Sequence, residues 1–229
     1  MKSFYEKEGK KLTNVGILPY RDVNRAVCYS LKHEIPFFPE LPRNGDTLKD
    51  YIAGKKPSCL KRFKQNKYST VKIQAFGPVT LMQMGYSKEK AKYEIKKHLI
   101  NILEGLDAKE VILFLNEPSL KKVNSSCEKM WHSIFKEFNT INGVYVLNLK
   151  CIDDLLKTEI DIVGFDSKEG ITCYKERNGK RIAWGAESEK EIFDWRKGDL
   201  LMLPFSSKFK TKCCIKKLEE LLKVSKTLQ

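Results

Sequence analysis

Charged and polar side chains follow the apolar runs of this sequence, and their types could bind and ionise a small polar ligand. An arginine can hold a carboxylate through paired hydrogen bonds, and a carboxylate shielded from water can act as a general acid or base. The candidate catalytic residues are Glu117, Lys150 and Asp166. The candidate substrate-binding residues are Tyr20, Arg21, Glu40, Arg43, Gln74, Thr80, Asn116, Asn148, Glu187, Ser206 and Ser207. For Glu117 and Arg21, a structural ion pair is the alternative interpretation.

Eight strand-like runs, separated by helix-length segments, would bring these residues together. Strands are predicted at residues 14–19, 35–38, 70–76, 110–115, 144–149, 160–165, 181–184 and 200–203. Helices are predicted at residues 23–32, 88–106, 123–138, 152–157 and 212–226, with Asp22 and Ser87 as N-caps. In a parallel β/α barrel the carboxyl ends of all strands meet at one mouth, where the active site lies. The pattern therefore predicts an α/β fold, namely a single (β/α)8 TIM barrel.

One domain is predicted, because 229 residues fall within the roughly 200 to 250 that such a barrel needs. It would comprise an N-terminal extension at 1–13, the barrel at 14–207 and a C-terminal helical segment at 208–229. No apolar stretch reaches the roughly 18 residues of a membrane span, and the N-terminus lacks the apolar core of a signal peptide. Seven cysteines without a Cys-x-x-Cys pair are typical of a reducing compartment. We therefore expect a cytoplasmic protein with no membrane partner.

The net charge of +14 raises nucleic acid as a partner, but the kind of charge argues against it. Only seven of the 43 basic residues are arginine, the residue that makes paired contacts to phosphates and bases. The lysines are spread along every predicted helix, which is typical of a solvated surface. Nucleic-acid binding is kept as the least favoured of the alternatives below.

Several segments, in chain order, resemble the barrel of cobalamin-independent methionine synthase and its relative uroporphyrinogen decarboxylase. They are PELPR at 39–43, GPVTL at 77–81, the pair Glu117-Pro118, IVGFDS at 162–167 and IAWGAESE at 182–189. The resemblance implies a β/α barrel that transfers a methyl group to a thiol or decarboxylates a tetrapyrrole acid. It names no particular substrate.

The sequence departs from that family at the positions that hold zinc in its thiol methyltransferases. A His-x-Cys pair follows the fifth strand in the family, whereas this chain has Asn148-Leu149-Lys150. A cysteine follows the eighth strand in the family, whereas this chain has Ser206 and Ser207. We therefore expect no zinc and no other cofactor, and thiol activation would have to come from a cation such as Lys150.

Three hypotheses for the function stay open. The first is a metal-independent, methyltransferase-like or decarboxylase-like protein that binds a small polar or anionic metabolite. The second is a non-catalytic relative that acts as a subunit beside a corrinoid protein or another protein partner. The third is a basic nucleic-acid-binding protein.

Overall fold

Seven parallel strands form one curled sheet in the computed structural model, which describes residues 11–167, 176–192, 194–204 and Lys216. The strands are β1 (Lys11–Leu12), β2 (Tyr68–Phe76), β3 (Ala108–Glu117), β4 (Ile141–Val146), β5 (Ile162–Asp166), β6 (Arg181–Gly185) and β7 (Leu200–Met202). Their order across the sheet is β1-β7-β6-β5-β4-β3-β2. Because every pair is parallel, the carboxyl ends of the strands lie at one end of the sheet.

Helices connect the strands, and several begin at a side chain that caps them. The helices are α1 (Val23–Ser30), α2 (Leu48–Ile52), α3 (Leu60–Phe63), α4 (Pro78–Gln83), α5 (Lys88–Leu103), α6 (Ser125–Phe135) and α7 (Ile152–Leu155). Asp22 accepts a hydrogen bond from the Arg25 amide, and Ser87 accepts one from the Lys90 amide, so both predicted N-caps are confirmed. Within the described residues, no helix is long and apolar enough to cross a membrane.

The two faces of the sheet are packed differently. On β2, Val71, Ile73 and Ala75 pack in the larger core, which also contains the apolar side chains of the helices. The opposite face belongs to a smaller core around Phe114 and Tyr145 that contains no helix residue. We call this second face the concave face of the curled sheet.

The prediction of a closed, eight-stranded TIM barrel is wrong, because the described residues form a sheet of seven strands. The run at 35–38, predicted as the second strand, makes one isolated bridge, from Phe37 to Lys72, and Glu40 just after it makes another, to Ile17. Pro36 and Pro39 explain this, because proline has no amide hydrogen to donate to a ladder. The run predicted at 14–19 is not a strand either, since Gly16 has a φ of +104° and turns the backbone out of the extended conformation.

The segment at 36–40 nevertheless lies between the two edges of the sheet. The Phe38 amide donates to the Lys72 carbonyl at 2.8 Å, and the Glu40 amide donates to the Gly16 carbonyl at 2.9 Å. The predicted helix at 212–226 falls outside the described residues.

Candidate ligand site at the carboxyl end of the sheet

Glu117 ends β3 with its carboxylate inside the helix layer. Its oxygens accept hydrogen bonds from the Val79 amide at 3.0 Å, the Thr80 amide at 2.7 Å and the Thr80 hydroxyl at 2.7 Å. The Trp131 indole donates a fourth bond at 2.9 Å. Burial raises the pKa of Glu117, and these donors oppose the rise. The predicted residues Glu117 and Thr80 are thus brought together, at the start of α4.

Asp166 and Asn116 are buried at the ends of β5 and β3. Asp166 accepts a hydrogen bond of 2.5 Å from the Tyr145 hydroxyl, which reaches it from the neighbouring strand β4. A Cβ atom added to Gly185 would lie 2.2 Å from that hydroxyl oxygen, so only glycine leaves room for the tyrosine there. Asp166 therefore faces the concave side, away from Glu117.

The remaining predicted residues do not converge on one point. Arg21, Arg43, Lys150 and Glu187 are exposed. Tyr20 is buried against Tyr29, while the Asn148 side chain accepts from the Lys150 amide and donates to the Lys121 carbonyl. Ser206 and Ser207 lie outside the described residues. The roles assigned to these side chains stay predictions.

Lys72 and Gln74 are fully buried polar side chains on the concave face of β2. The ammonium group of Lys72 lies 3.3 Å from the Gln74 carbonyl oxygen and 5.0 Å from the centre of the Phe114 ring. The Gln74 amide nitrogen donates to the Phe38 carbonyl at 2.7 Å. Gly16 permits this arrangement, because a Cβ atom at that position would lie 2.0 Å from the Gln74 amide nitrogen.

Glu40, the last residue of the segment that bridges the sheet edges, is an acidic residue whose charge acts on Lys72. Burial raises the pKa of Glu40 to about 7, against the attraction of Lys72 and a hydrogen bond from Gln74. Burial lowers the pKa of Lys72 to about 7, against the attraction of Glu40. A partly buried acid near a buried base, each with its pKa shifted toward neutral pH, is typical of sites where protons are exchanged.

Glu40 also opens onto a cavity of about 110 Å³ beneath α2. We call it the α2 cavity; its lining includes Glu40, Asp46, Tyr51, Lys55, Phe76 and His98. Tyr51 comes from α2 and His98 from α5, and their rings are 3.9 Å apart between centroids. The cavity therefore lies between the carboxyl end of the sheet and two helices.

Two buried polar atoms in the lining of the α2 cavity have no hydrogen-bond partner among the described residues. They are the Tyr51 hydroxyl and the Nε2 atom of His98, whose side chain is only 7% exposed. One carboxylate oxygen of Glu94, one helical turn before His98, is buried and unpartnered as well. Burial lowers the pKa of His98 to about 3, so its ring is neutral at physiological pH. A neutral imidazole has one nitrogen that donates and one that accepts.

The α2 cavity and the Lys72–Gln74 pair near it contain both predicted and unpredicted residues. Glu40 in the cavity lining and Gln74 in the pair were predicted, whereas Tyr51, His98 and Lys72 were not. Lys72 and Gln74 alternate with apolar residues along β2, a pattern that ordinarily indicates a solvent-exposed face. His98 lies on the apolar stripe of α5 beside Ile95 and Leu99, and this position in the sequence indicated that it is buried.

Within the part of the chain that the structure describes, no group of three or more His, Cys, Asp or Glu side chains could hold a metal ion. Comparison with protein-family models, with curated proteins and with solved structures finds no significant match to this chain.

Proposed function

We propose that this protein binds a small polar metabolite in the α2 cavity and that Glu40, whose charge Lys72 influences, exchanges a proton with it. The observation that carries the proposal is the pair of buried, unpartnered atoms in the lining, Tyr51 Oη and His98 Nε2. A buried polar atom left without a partner costs about 1–3 kcal/mol. A ligand with hydrogen-bonding groups would remove that cost.

The Glu40–Lys72 pair supports a chemical role beyond binding. Lys72 is 1% exposed, and maintaining a buried cation or its neutral amine next to a carboxyl group is expensive for stability alone. Glu40 lines the cavity and is attracted by the charge of Lys72, so it is placed to exchange a proton with a bound molecule. We assign Glu40 the direct contact and Lys72 the role of setting its charge.

The size of the α2 cavity favours a small ligand over the larger ones that the family resemblance implies. About 110 Å³ holds a group of a few non-hydrogen atoms, by comparison with an engineered cavity of about 150 Å³ that holds benzene. A tetrapyrrole acid does not fit this cavity, whereas a small thiol does. Methyl transfer, a corrinoid partner and nucleic-acid binding stay predictions.

Thermal denaturation with a panel of small metabolites tests the proposal. The panel should include thiols, amines, carboxylates and phosphates, each in excess of the protein, because a ligand that binds only the folded state raises its melting temperature. We expect at least one member to stabilise the wild-type protein. Glu40→Gln and His98→Leu should each abolish that stabilisation.

Glu89→Gln is the matched control, since Glu89 is an exposed carboxylate in the first turn of α5, the helix that carries His98. It should leave the stabilisation unchanged. The proposal is wrong if no member of the panel stabilises the protein, or if the effect of every stabilising ligand survives in both cavity variants.

A further inference from the structure

We infer that the ligand of the α2 cavity carries a compact cationic nitrogen, such as a primary or secondary ammonium group. The inference rests on the proposed function, because it names the chemistry of the molecule that would occupy the same site. It follows from the charges and hydrogen-bonding atoms around the Tyr51 hydroxyl.

Glu40 lines the same cavity as Tyr51. Burial raises the pKa of Tyr51, and the negative charges of Glu40 and of Glu94 on α5 raise it further. One oxygen of Glu94 is buried without a partner among the described residues. A carboxylate oxygen only accepts hydrogen bonds, and a tyrosine hydroxyl can accept as well, so a cationic nitrogen would supply donors and positive charge together.

The other charged groups in the lining are already engaged. Asp46 accepts from the Leu41 amide and from the amide and hydroxyl of Ser58, each at 2.8 Å. Asp50 forms an ion pair with Lys55, so these two charges largely offset each other. Lys56 is exposed at the rim, and Lys72 lies behind Glu40 on the concave face. The unengaged charge that faces the cavity is thus negative.

The aromatic lining suits the same chemistry. Tyr51 and Phe76 line the cavity, and the His98 ring is tilted by 44° to the Tyr51 ring. Aromatic faces attract cations, and the attraction is larger when water is excluded. A neutral His98 adds no positive charge that would repel a cationic ligand.

Three ligands of similar size and different charge test the inference: n-butylamine, 1-butanol and butyrate. Each has about five or six non-hydrogen atoms, which matches the cavity. Affinity is measured by titration calorimetry at about pH 8, where Glu40 is ionised and the amine is protonated, and the imidazole proton signals of His98 are followed by NMR. We expect butylamine to bind at least about tenfold more tightly than butanol and to shift the His98 signals, with butyrate the weakest.

Glu40→Gln should remove the preference for butylamine over butanol, while Glu89→Gln should keep it. The comparison of the three ligands on the wild-type chain needs no variant, so it decides the question even if a cavity variant does not fold. If butanol or butyrate binds as tightly as butylamine and shifts the same signals, the inference is wrong and the proposed function stands. If none of the three binds, the inference is wrong as well, and the proposed function is also wrong if the panel of metabolites fails.

Discussion

The pKa values of Lys72 and Glu40 depend on the curled sheet, because its curvature buries both side chains. Either side chain at the surface would keep its ordinary pKa, but burial brings both values to about 7. The charged forms are then stabilised chiefly by one another. Such a pair makes the protein unusually sensitive to pH in the neutral range.

Stability should pass through a local minimum near pH 7 because of this pair. Folded Glu40 keeps its proton to about pH 7, while the unfolded chain loses it from about pH 4.5. The stability that protonated Glu40 contributes is therefore lost as pH rises from about 4.5 to about 7. The pKa of Lys72 is lowered from 10.5 to about 7, so the stability that neutral Lys72 contributes is present above about pH 10.5 and is lost as pH falls from there to about 7. Urea unfolding at roughly pH 5, 7 and 9 should show a dip on the order of 2 kcal/mol.

The double variant Glu40→Gln/Lys72→Met provides the reference, because other titrating groups cancel in the difference between the two curves. Glu40→Gln alone should remove the fall in stability below neutral pH and keep the rise above it, which comes from Lys72. A difference curve that is flat, or that changes in one direction throughout, would contradict the assignment of these pKa shifts.

Glu117 presents a second prediction at the scale of single residues. One carboxylate oxygen of Glu117 accepts hydrogen bonds from Val79 and Trp131, and the other accepts two from Thr80. In Glu117→Gln an amide NH₂ group, which is itself a donor, must replace one of these oxygens and face its two donors. We expect the free energy of unfolding to fall by about 2 kcal/mol, with a change in Trp131 fluorescence. Ligand affinity at the α2 cavity should stay within about twofold.

Glu110→Gln, at the exposed start of the same strand, is the control and should change stability by less than about 0.5 kcal/mol. The opposite result for Glu117→Gln, a large loss of affinity at unchanged stability, would show that Glu117 contacts the ligand, as the sequence predicted.

At the scale of elements, three glycines on neighbouring strands let aromatic rings fill the concave face. They are Gly143 on β4, Gly164 on β5 and Gly185 on β6. A Cβ atom on Gly143 would lie 2.7 Å from the Phe114 ring, and one on Gly164 would lie 2.3 Å from the Tyr145 ring. The rings occupy the space that side chains at these positions would need. The smaller core therefore depends on glycine more than on apolar patterning.

Gly164→Ala should destabilise the protein by about 2 kcal/mol or more, because the Tyr145 ring is held between strands and by its bond to Asp166. Chemical denaturation measures the loss. In a double-mutant cycle with Tyr145→Val, which removes the ring, the substitution should cost at least about 1 kcal/mol less. Additive effects of the two substitutions would mean that the ring and the glycine do not compete for space.

Some strand positions were predictable, and the reasons for the misses are physical. Continuous apolar runs such as 110–115 predict buried strands because both faces of the sheet are covered. The run at 35–38 is equally apolar, but its prolines remove the donors that pairing needs. The concave face was not predictable, since Lys72 and Gln74 follow the same alternation as an exposed face would.

At the scale of the whole molecule, the prediction that the carboxyl ends of the strands lie together located only some of the residues of the candidate site. It placed Glu40 and Gln74 near each other, because one ends a bridging segment and the other lies on the adjoining strand. It could not supply Tyr51 and His98, which come from helices α2 and α5 and approach the sheet only through tertiary packing. Predicting that approach would require the path of the loop between Glu40 and Tyr51, which has little periodicity in the sequence.

The pairing of β1 with β7 has a consequence for synthesis on the ribosome. Lys11 and Leu12 are translated long before their strand partners, Leu200 and Leu201. At typical elongation rates the wait is roughly ten to forty seconds. During that interval β1 has no strand to join, whereas β2, β3 and β4 can already pair in order. The nascent chain should therefore acquire its central strands first and add its amino-terminal strand last.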